Sequence, residues 1–191
     1  MTEQSCRLNP SLSDANFKLS CETVLSKWNR EEQSTIDHIL KHDNYEKPEI
    51  DLPDGRRYVW YLAIGSMMNP ISLFLRDITP VMSYPAKCSG YKVVFRQPSG
   101  MADTESDPNA EFHGVVHLLS DDHMRHLDAI ELVYGRIIVS VVDYKEKPHS
   151  VYAYKMNTAN SGIGLPSERY LDVIIKGCEY YKIQPKYINQ L

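Results

Sequence analysis

The sequence predicts an α+β fold, a small mixed β-barrel with flanking helices, together with an N-terminal helical extension. Short apolar or alternating segments bounded by Gly, Pro, Asp and Ser outnumber helical ones after residue 57, which indicates several strands. The predicted strands are Tyr58–Ile64, Tyr91–Arg96, Phe112–Leu119, Gly135–Tyr144 and His149–Met156. Two longer segments carry apolar residues at helical spacing instead. Short strands mixed with helices favour a sheet that curls into a small barrel with helices on its outside.

The first 57 residues differ from the rest, and we interpret them as an extension of a domain that covers residues 58–191. Residues 1–17 are polar and lack periodicity, which predicts a disordered tail. Ser20 can cap an amphipathic helix of about residues 20–42. Residues 43–57 are rich in Pro, Asp and Asn and predict a linker. The helix either packs on its own domain or serves as an arm, across a possible homodimer or toward another protein.

Composition and charge exclude several classes of partner. The formal net charge is −4, with acidic and basic residues mixed along the chain, so we expect no binding to nucleic acid or to an anionic membrane surface. No apolar run approaches the roughly 18 residues of a spanning helix. The four cysteines are far apart, and the N-terminus lacks a signal-peptide pattern. These features predict a cytoplasmic protein.

One predicted strand ends at a glycine that precedes a helix start. Gly65 follows Tyr58–Ile64 directly, and a few residues later Asn69 can cap a helix that has Pro70 in its first turn. Backbone N–H groups exposed between a strand and a helix can bind a carboxylate or an oxyanion. On the pattern alone, an ordinary glycine turn explains the same stretch.

The helix predicted after Ser120 ends its apolar face with a glutamate. At a period of 3.6 residues, Met124, Leu127 and Glu131 lie along one stripe, which should face the core. Glu131 is therefore either the edge of this stripe, with its carboxyl group in water, or a deliberately placed acid or base. The pattern does not distinguish these readings.

Two further segments complete the predicted architecture. Pro98–Glu111 is polar and is predicted to be a loop, mobile or lid-like. A helix is predicted from about Ser167 to Tyr181, with Leu171 and Ile174 on its apolar side.

Three separated motifs resemble the gamma-glutamylcyclotransferase family. Tyr61-Leu62-Ala63-Ile64-Gly65-Ser66 resembles the family's signature loop, which follows a strand. HGVVHLLSDDHMRHLDAIE resembles the family's G-V-V strand, short loop and helix that ends L-D-x-x-E. PSERYLDVIIKGC resembles its C-terminal Pro-Ser-x-x-Tyr helix. The resemblance covers about residues 58–191 and leaves the N-terminal portion unexplained.

The resemblance implies an activity and a set of site residues. Family members cyclise a gamma-glutamyl group to 5-oxoproline and release an amine or amino acid, without water and without a cofactor or metal. Glu131 matches the catalytic glutamate, which would act as general acid and base. Substrate-binding residues implied by the resemblance are Tyr61, Leu62, Ala63, Ile64, Gly65, Ser66, Met67, Tyr154 and Tyr170. Burial and the negative C-terminal end of a helix would both raise the pKa of Glu131 toward the working pH.

Three departures from the family pattern bear on the substrate. The family usually has Tyr-Gly-Ser-Asn or Tyr-Gly-Ser-Leu where this chain has Ile64-Gly65-Ser66-Met67, so a tyrosine hydroxyl and, in one branch, an amide are absent. Leu132 stands where glycine commonly follows the glutamate. The alternative hypothesis is an inactive small-molecule binding protein on the same fold, with Ile64 and Met67 lining an apolar pocket.

The histidines also allow a metal site to be considered. His113 and His117 share a strand face by period two, and His123 and His126 lie on the next helix beside acidic residues. No third ligand is fixed by the pattern, and the resembled family needs no metal. We therefore predict a small gamma-glutamyl molecule as the partner and no metal.

Overall fold

The computed structural model describes residues 33–42, 45–157 and 162–191. Their elements are α1 (Gln33–His42), β1 (Glu49–Asp51), β2 (Arg57–Ala63), a 3₁₀ helix (Ser66–Met68), α2 (Pro70–Phe74), β3 (Met82–Arg96), β4 (Met101–Ser120), α3 (Asp121–Ile130), β5 (Tyr134–Asp143), β6 (Pro148–Met156), α4 (Glu168–Tyr180) and α5 (Pro185–Ile188). The predicted α+β class is confirmed. The predicted tail and the first part of the predicted N-terminal helix lie outside the described residues.

The strands form one sheet in the order β1-β2-β4-β3-β5-β6. A further pairing joins β2 to β6 in parallel, so that β2, β4, β3, β5 and β6 form a closed circuit of hydrogen-bonded neighbours. The other pairings are antiparallel. Because β2 has strands on both sides and helices outside, its residues Tyr58–Ala63 are all buried. This burial explains why its sequence is continuously apolar and aromatic.

Side-chain caps begin three of the helices at the predicted positions. The Ser120 hydroxyl accepts a hydrogen bond from the His123 N–H at 3.3 Å, and the Asn69 amide oxygen accepts one from the Ile71 N–H at 3.0 Å. Ser167 caps α4 in the same way. The helix α3 ends at Ile130, and Glu131 is its C-cap, with its backbone N–H still hydrogen-bonded to the Leu127 carbonyl oxygen.

The predicted loop Pro98–Glu111 is wrong, because most of it belongs to a β-hairpin. The register with β3 runs from Tyr91 opposite Ser106 to Arg96 opposite Met101. Its polar residues pair across the strands, since Arg96 binds Asp103 at 2.9 Å and Glu105 at 2.8 Å. The polar composition that suggested a loop is therefore a ladder of charges on paired strands.

The N-terminal portion contacts the sheet through the segment predicted to be a linker. The β1 strand lies within that segment and pairs with the first residues of β2. Ile39 and Thr35 of α1 are buried, and the Arg56 guanidinium donates to the Thr35 hydroxyl at 3.1 Å. A domain boundary at residue 58 stays a prediction. None of the described helices is long and apolar enough to cross a membrane.

The 3₁₀ helix after β2 is held in place by α4. The Asn69 side chain donates to the Val173 carbonyl oxygen at 3.0 Å. A methyl group added at Gly177 would lie 2.8 Å from the carbonyl carbon of Met68 and 2.9 Å from the backbone nitrogen of Asn69. The absence of a side chain at Gly177 therefore lets α4 pack directly against this backbone, which fixes the segment that follows Gly65.

We expect Gly177→Ala to lower the free energy of unfolding by about 2 kcal/mol. Overpacking against backbone costs about 3 kcal/mol, and the higher helix propensity of alanine returns about 1 kcal/mol. Urea denaturation measures the change. The control is Glu179→Ala on the exposed side of α4, expected to change stability by less than about 0.5 kcal/mol. An unchanged or increased stability of Gly177→Ala would contradict this packing.

Candidate active site

The ends of β2, α3 and β6 and the start of α4 surround a small cavity of about 40 Å³. This volume is close to that of one water molecule. The residues that line it are Tyr61, Ile64, Gly65, Ser66, Met67, Met101, Ala102, Glu131, Tyr134, Tyr154 and Tyr170. The fold thus brings together eight of the ten predicted site residues, from four separated segments of the sequence.

Glu131 reaches this cavity because α3 stops one residue earlier. Its backbone N–H donates to the Leu127 carbonyl oxygen at 2.9 Å, and its own carbonyl oxygen accepts from the Tyr134 N–H at 2.9 Å. The tight turn between them begins β5. Burial raises the pKa of the Glu131 carboxyl group above its usual range, and the positive charge of Arg76 opposes this effect. A proton-accepting carboxylate with a raised pKa suits general acid–base work.

Tyrosine rings form most of the wall around Glu131. The Tyr61 ring lies edge-on to Tyr154 at 5.4 Å between centroids, and Tyr134 contacts Tyr154 in the same way at 6.4 Å. Burial, and then the negative charge of Glu131, raise the pKa of Tyr61 well above its usual value. The phenols therefore stay protonated and keep hydroxyl donors near the carboxyl group.

Gly65 permits a close approach between the β2 turn and α4. A methyl group built at Gly65 would lie only 2.5 Å from the Tyr170 hydroxyl oxygen, while the next contact, with the Ala102 methyl, would be an ordinary 3.4 Å. The Tyr170 hydroxyl also lies 3.4 Å from the Ala102 N–H and accepts from the backbone of Ser66. Burial nevertheless raises the pKa of Tyr170. The glycine is required here by this contact and not by a left-handed backbone.

The buried His117 side chain is hydrogen-bonded to the backbone just after this turn. The His117 Nε2 lies 3.1 Å from the Met67 carbonyl oxygen, which can only accept, so Nε2 carries the proton. Nδ1 therefore accepts from the Ser83 hydroxyl at 2.7 Å. Burial lowers the pKa of His117 to about 4, and the ring is neutral at physiological pH.

Tyr154 is anchored by an ion pair that the sequence reasoning missed. Its hydroxyl donates to the Asp128 carboxylate at 2.6 Å, and the Arg136 guanidinium donates to both oxygens of that carboxylate. Burial raises the pKa of Asp128, but the hydrogen bonds from Arg136 and Tyr154 outweigh burial and lower it. Asp128 stands in the L-D-x-x-E pattern, so the motif itself contained the signal.

Three residues that line the cavity were not predicted, and two predicted residues lie outside its lining. Tyr134, Met101 and Ala102 line the cavity, with the Tyr134 hydroxyl donating to the Ala102 carbonyl oxygen at 2.8 Å. Met101 and Ala102 were not predicted because they lie in the segment predicted to be a loop. Pairing of that segment with β3 in a hairpin brings them to the cavity. Leu62 and Ala63 do not line the cavity, since both are fully buried in the core.

The four histidines considered as metal ligands are dispersed. His113 contacts the Tyr144 hydroxyl, and His126 donates to the Arg76 carbonyl oxygen at 2.9 Å. Within the described ranges, no group of three or more His, Cys, Asp or Glu residues has the geometry to hold a metal ion.

Comparison with known proteins agrees with the motifs and the fold. The sequence model of the AIG2-like family matches residues 111–191, which include Glu131, Tyr154 and Tyr170. No curated protein sequence matches the chain. The match covers less than half of the chain, and the solved structures described next agree with the fold that the gamma-glutamylcyclotransferase resemblance implies.

Three solved structures each match 70% of this chain. A gamma-glutamyl cyclotransferase has a TM-score of 0.63 and 21% identity, and the match covers 70% of this chain and 85% of that one. The uncharacterized protein loc79017 from Homo sapiens has a TM-score of 0.62 and 23% identity, with coverage of 70% and 85%. YkqA from Bacillus subtilis has a TM-score of 0.59 and 20% identity, with coverage of 70% and 52%. At these identities the likeness shows the fold.

We expect Gly65→Ala to lower the free energy of unfolding by about 2 kcal/mol, because its methyl group meets the Tyr170 hydroxyl. In a Tyr170→Phe background the same change should cost less than about 1 kcal/mol, because the clashing oxygen is gone. Denaturant unfolding of the four proteins in this double-mutant cycle gives the coupling. Equal costs in both backgrounds would show that the Tyr170 hydroxyl is not the limiting contact.

Proposed function

We propose that this chain, which has the gamma-glutamylcyclotransferase-like fold, cyclises a gamma-glutamyl group to 5-oxoproline with Glu131 as general acid and base. The observation that carries the proposal is that Glu131, a partly buried carboxyl group with a raised pKa, lines the same small cavity as Gly65 and Ser66. The reaction is an intramolecular acyl transfer of the lyase type, in which no water is consumed.

The proposed chemistry requires two proton transfers. The Glu131 carboxylate removes a proton from the substrate's α-ammonium group, and the freed amine attacks the γ-carbonyl carbon. A new C–N bond closes the five-membered lactam while the original amide C–N bond breaks. Glu131 returns its proton to the departing nitrogen, so 5-oxoproline and an amine leave and the carboxylate is regenerated. Because the nucleophile is tethered to the carbonyl, the protein contributes mainly positioning and proton transfer.

The cavity walls suit this positioning. Gly65 and Ser66 line the cavity, and in this proposal backbone N–H groups of their turn, other than the Ser66 N–H that donates to Tyr170, stabilise the oxyanion that develops on the γ-carbonyl oxygen. Tyr61 and Tyr170 remain protonated and can donate to the substrate's α-carboxylate or amide, while the Tyr154 oxygen, whose proton is donated to Asp128, can accept from the substrate's ammonium group. This assignment supports the substrate-binding roles implied by the motifs, apart from Leu62 and Ala63.

The methionines favour a substrate with an apolar leaving group. A γ-glutamyl group is larger than the 40 Å³ cavity, so we propose that lining side chains move when it binds. Met67 and Met101 line the cavity and are unbranched, which makes them the side chains best able to move. Leu132 follows Glu131 directly, and the Leu165 backbone lies against Gly100, the neighbour of Met101. These leucines are 80% and 90% exposed, so in this proposal they offer apolar surface to a leaving group outside the cavity.

The alternative is an inactive binding protein on the same fold. Ile64 and Met67 both line the cavity, which is the observation that favours it.

The described cysteines, Cys88 and Cys178, are buried free thiols, which supports the proposal of a cytoplasmic location. A homodimer also stays a prediction.

We expect Glu131→Gln to lower kcat/KM for 5-oxoproline release at least about 100-fold, because glutamine keeps the shape but cannot transfer a proton. Release is measured with a panel of γ-glutamyl amines, γ-glutamyl amino acids and glutathione, and the apolar amines should have the highest kcat/KM. Glu179→Gln on the exposed side of α4 is the matched control and should retain activity. Binding without turnover in the wild-type protein would establish the alternative.

The raised pKa of Glu131 also predicts a pH-dependent stability difference. Because its folded-state pKa lies above the unfolded value, ionised Glu131 destabilises the native state at neutral pH. We therefore expect Glu131→Gln to be more stable than the wild-type protein at pH 7. The difference should shrink as the pH falls through the folded-state pKa and vanish below about pH 4, where both states are protonated. Denaturation midpoints across this range measure it, and a wild-type protein more stable at pH 7 would refute a desolvated carboxyl group.

A further inference from the structure

A second cavity, of about 310 Å³, lies away from Glu131 between α1, the first residues of β3 and the turn that joins β5 to β6. It is lined by Leu40, Tyr45, Met82, Ser83, Tyr84, Asp143, Lys145, Lys147 and His149. Small-molecule sites have volumes of about 300–1,000 Å³ and are mostly apolar with a few polar groups. The second cavity meets this description, whereas the candidate active site is much smaller.

Its inner walls are aromatic and fixed. The Tyr84 hydroxyl and His149 Nδ1 are hydrogen-bonded at 2.5 Å, and His149 is almost completely buried. The His149 ring lies edge-on to Tyr45 and to Trp60, with 4.5 Å between centroids in each case. Met82 and Leu40 add aliphatic surface. These rigid rings and apolar side chains can enclose an apolar or aromatic group of a ligand.

Its mouth is positively charged. Lys145 and Lys147 are exposed there, and Asp143 is the one acidic residue of the lining. One oxygen of Asp143 is already used by the turn, because it accepts from the backbone N–H groups of both lysines at 2.8 Å. Burial, and then the charge of Lys147, lower the pKa of His149 to about 3, so this ring adds no charge. The lysines therefore outnumber the acidic group.

Lys147 is also held over the apolar part of the cavity. Its ammonium nitrogen lies 3.1 Å from the centre of the Tyr45 ring, a cation–π contact. If a ligand placed its anionic group beside Lys147, the rest of that ligand would therefore lie against the aromatic wall.

We propose that this second cavity binds a small organic anion, with its apolar or aromatic body between Tyr45, Tyr84 and Leu40 and its charged group at Lys145 and Lys147. The shared chemistry is that of an aryl or alkyl carboxylate, sulfonate or phosphate. The second cavity takes no part in the proposed cyclisation. The test of anion binding is therefore independent of the test of the proposed function.

The test uses the full chain and a matched pair of fluorescent probes, 8-anilinonaphthalene-1-sulfonate and the neutral N-phenyl-1-naphthylamine. We expect saturable binding of the sulfonate with a stoichiometry of one. Leu40→Trp, which fills the cavity from a half-exposed position, should weaken both probes at least about tenfold. Lys145→Met combined with Lys147→Met should weaken the sulfonate about fivefold and leave the neutral probe unchanged.

The matched control is Lys186→Met on α5, which removes one exposed lysine outside the cavity and should change neither probe. Circular dichroism and the thermal midpoint establish that each variant is folded. Absence of saturable sulfonate binding would overturn the proposal, as would binding unaffected by Leu40→Trp. If the double lysine variant bound the sulfonate as the wild-type protein does, the cavity would not be an anion site.

Discussion

The candidate site depends on the burial of β2 between β4 and β6. Antiparallel pairing on one side and parallel pairing on the other fix the register of Tyr61 against both neighbours. Because β2 cannot slide without exposing its apolar side chains, the end of the strand lies at one defined place. Gly65 and the 3₁₀ helix follow directly, and α4 then packs on that helix through Gly177. The position of the turn that lines the same cavity as Glu131 is thus a consequence of strand pairing.

Two carboxyl groups at the site have pKa values shifted in opposite directions. Asp128 is held ionised by Arg136, and through the Tyr154 hydroxyl it fixes one wall of the cavity. Glu131, three residues later, has no such partner among its described contacts except the opposing charge of Arg76, and burial raises its pKa. One carboxylate therefore builds the wall, and the other keeps a pKa suited to proton transfer.

The sequence predicted features that depend on neighbouring residues, such as helix caps. It did not predict features that depend on pairing between distant strands. Ser120 and Asn69 were recognised as caps because a cap depends on neighbouring residues. Met101 and Ala102 were missed because a polar hairpin resembles a loop until its partner strand is known. Glu131, predicted as the catalytic residue, lines the cavity and follows the helix as its C-cap. An apolar stripe that ends within the helix and one that extends to the C-cap differ by a single residue. Sequence patterns define helix ends less well than helix interiors.

A hydrogen-bonded chain joins the two cavities through the interior of the sheet. Ser83 lines the second cavity and donates to His117, and His117 donates to the carbonyl oxygen of Met67, which lines the candidate active site. The direction of this chain is determined, because a carbonyl oxygen accepts only and the buried ring carries one proton. If the Ser83 hydroxyl turned toward a ligand in the second cavity, His117 Nδ1 would lose its donor within the interior. Such a loss costs about 1–3 kcal/mol, so the chain resists that rotation and keeps the turn at Met67 in a single arrangement.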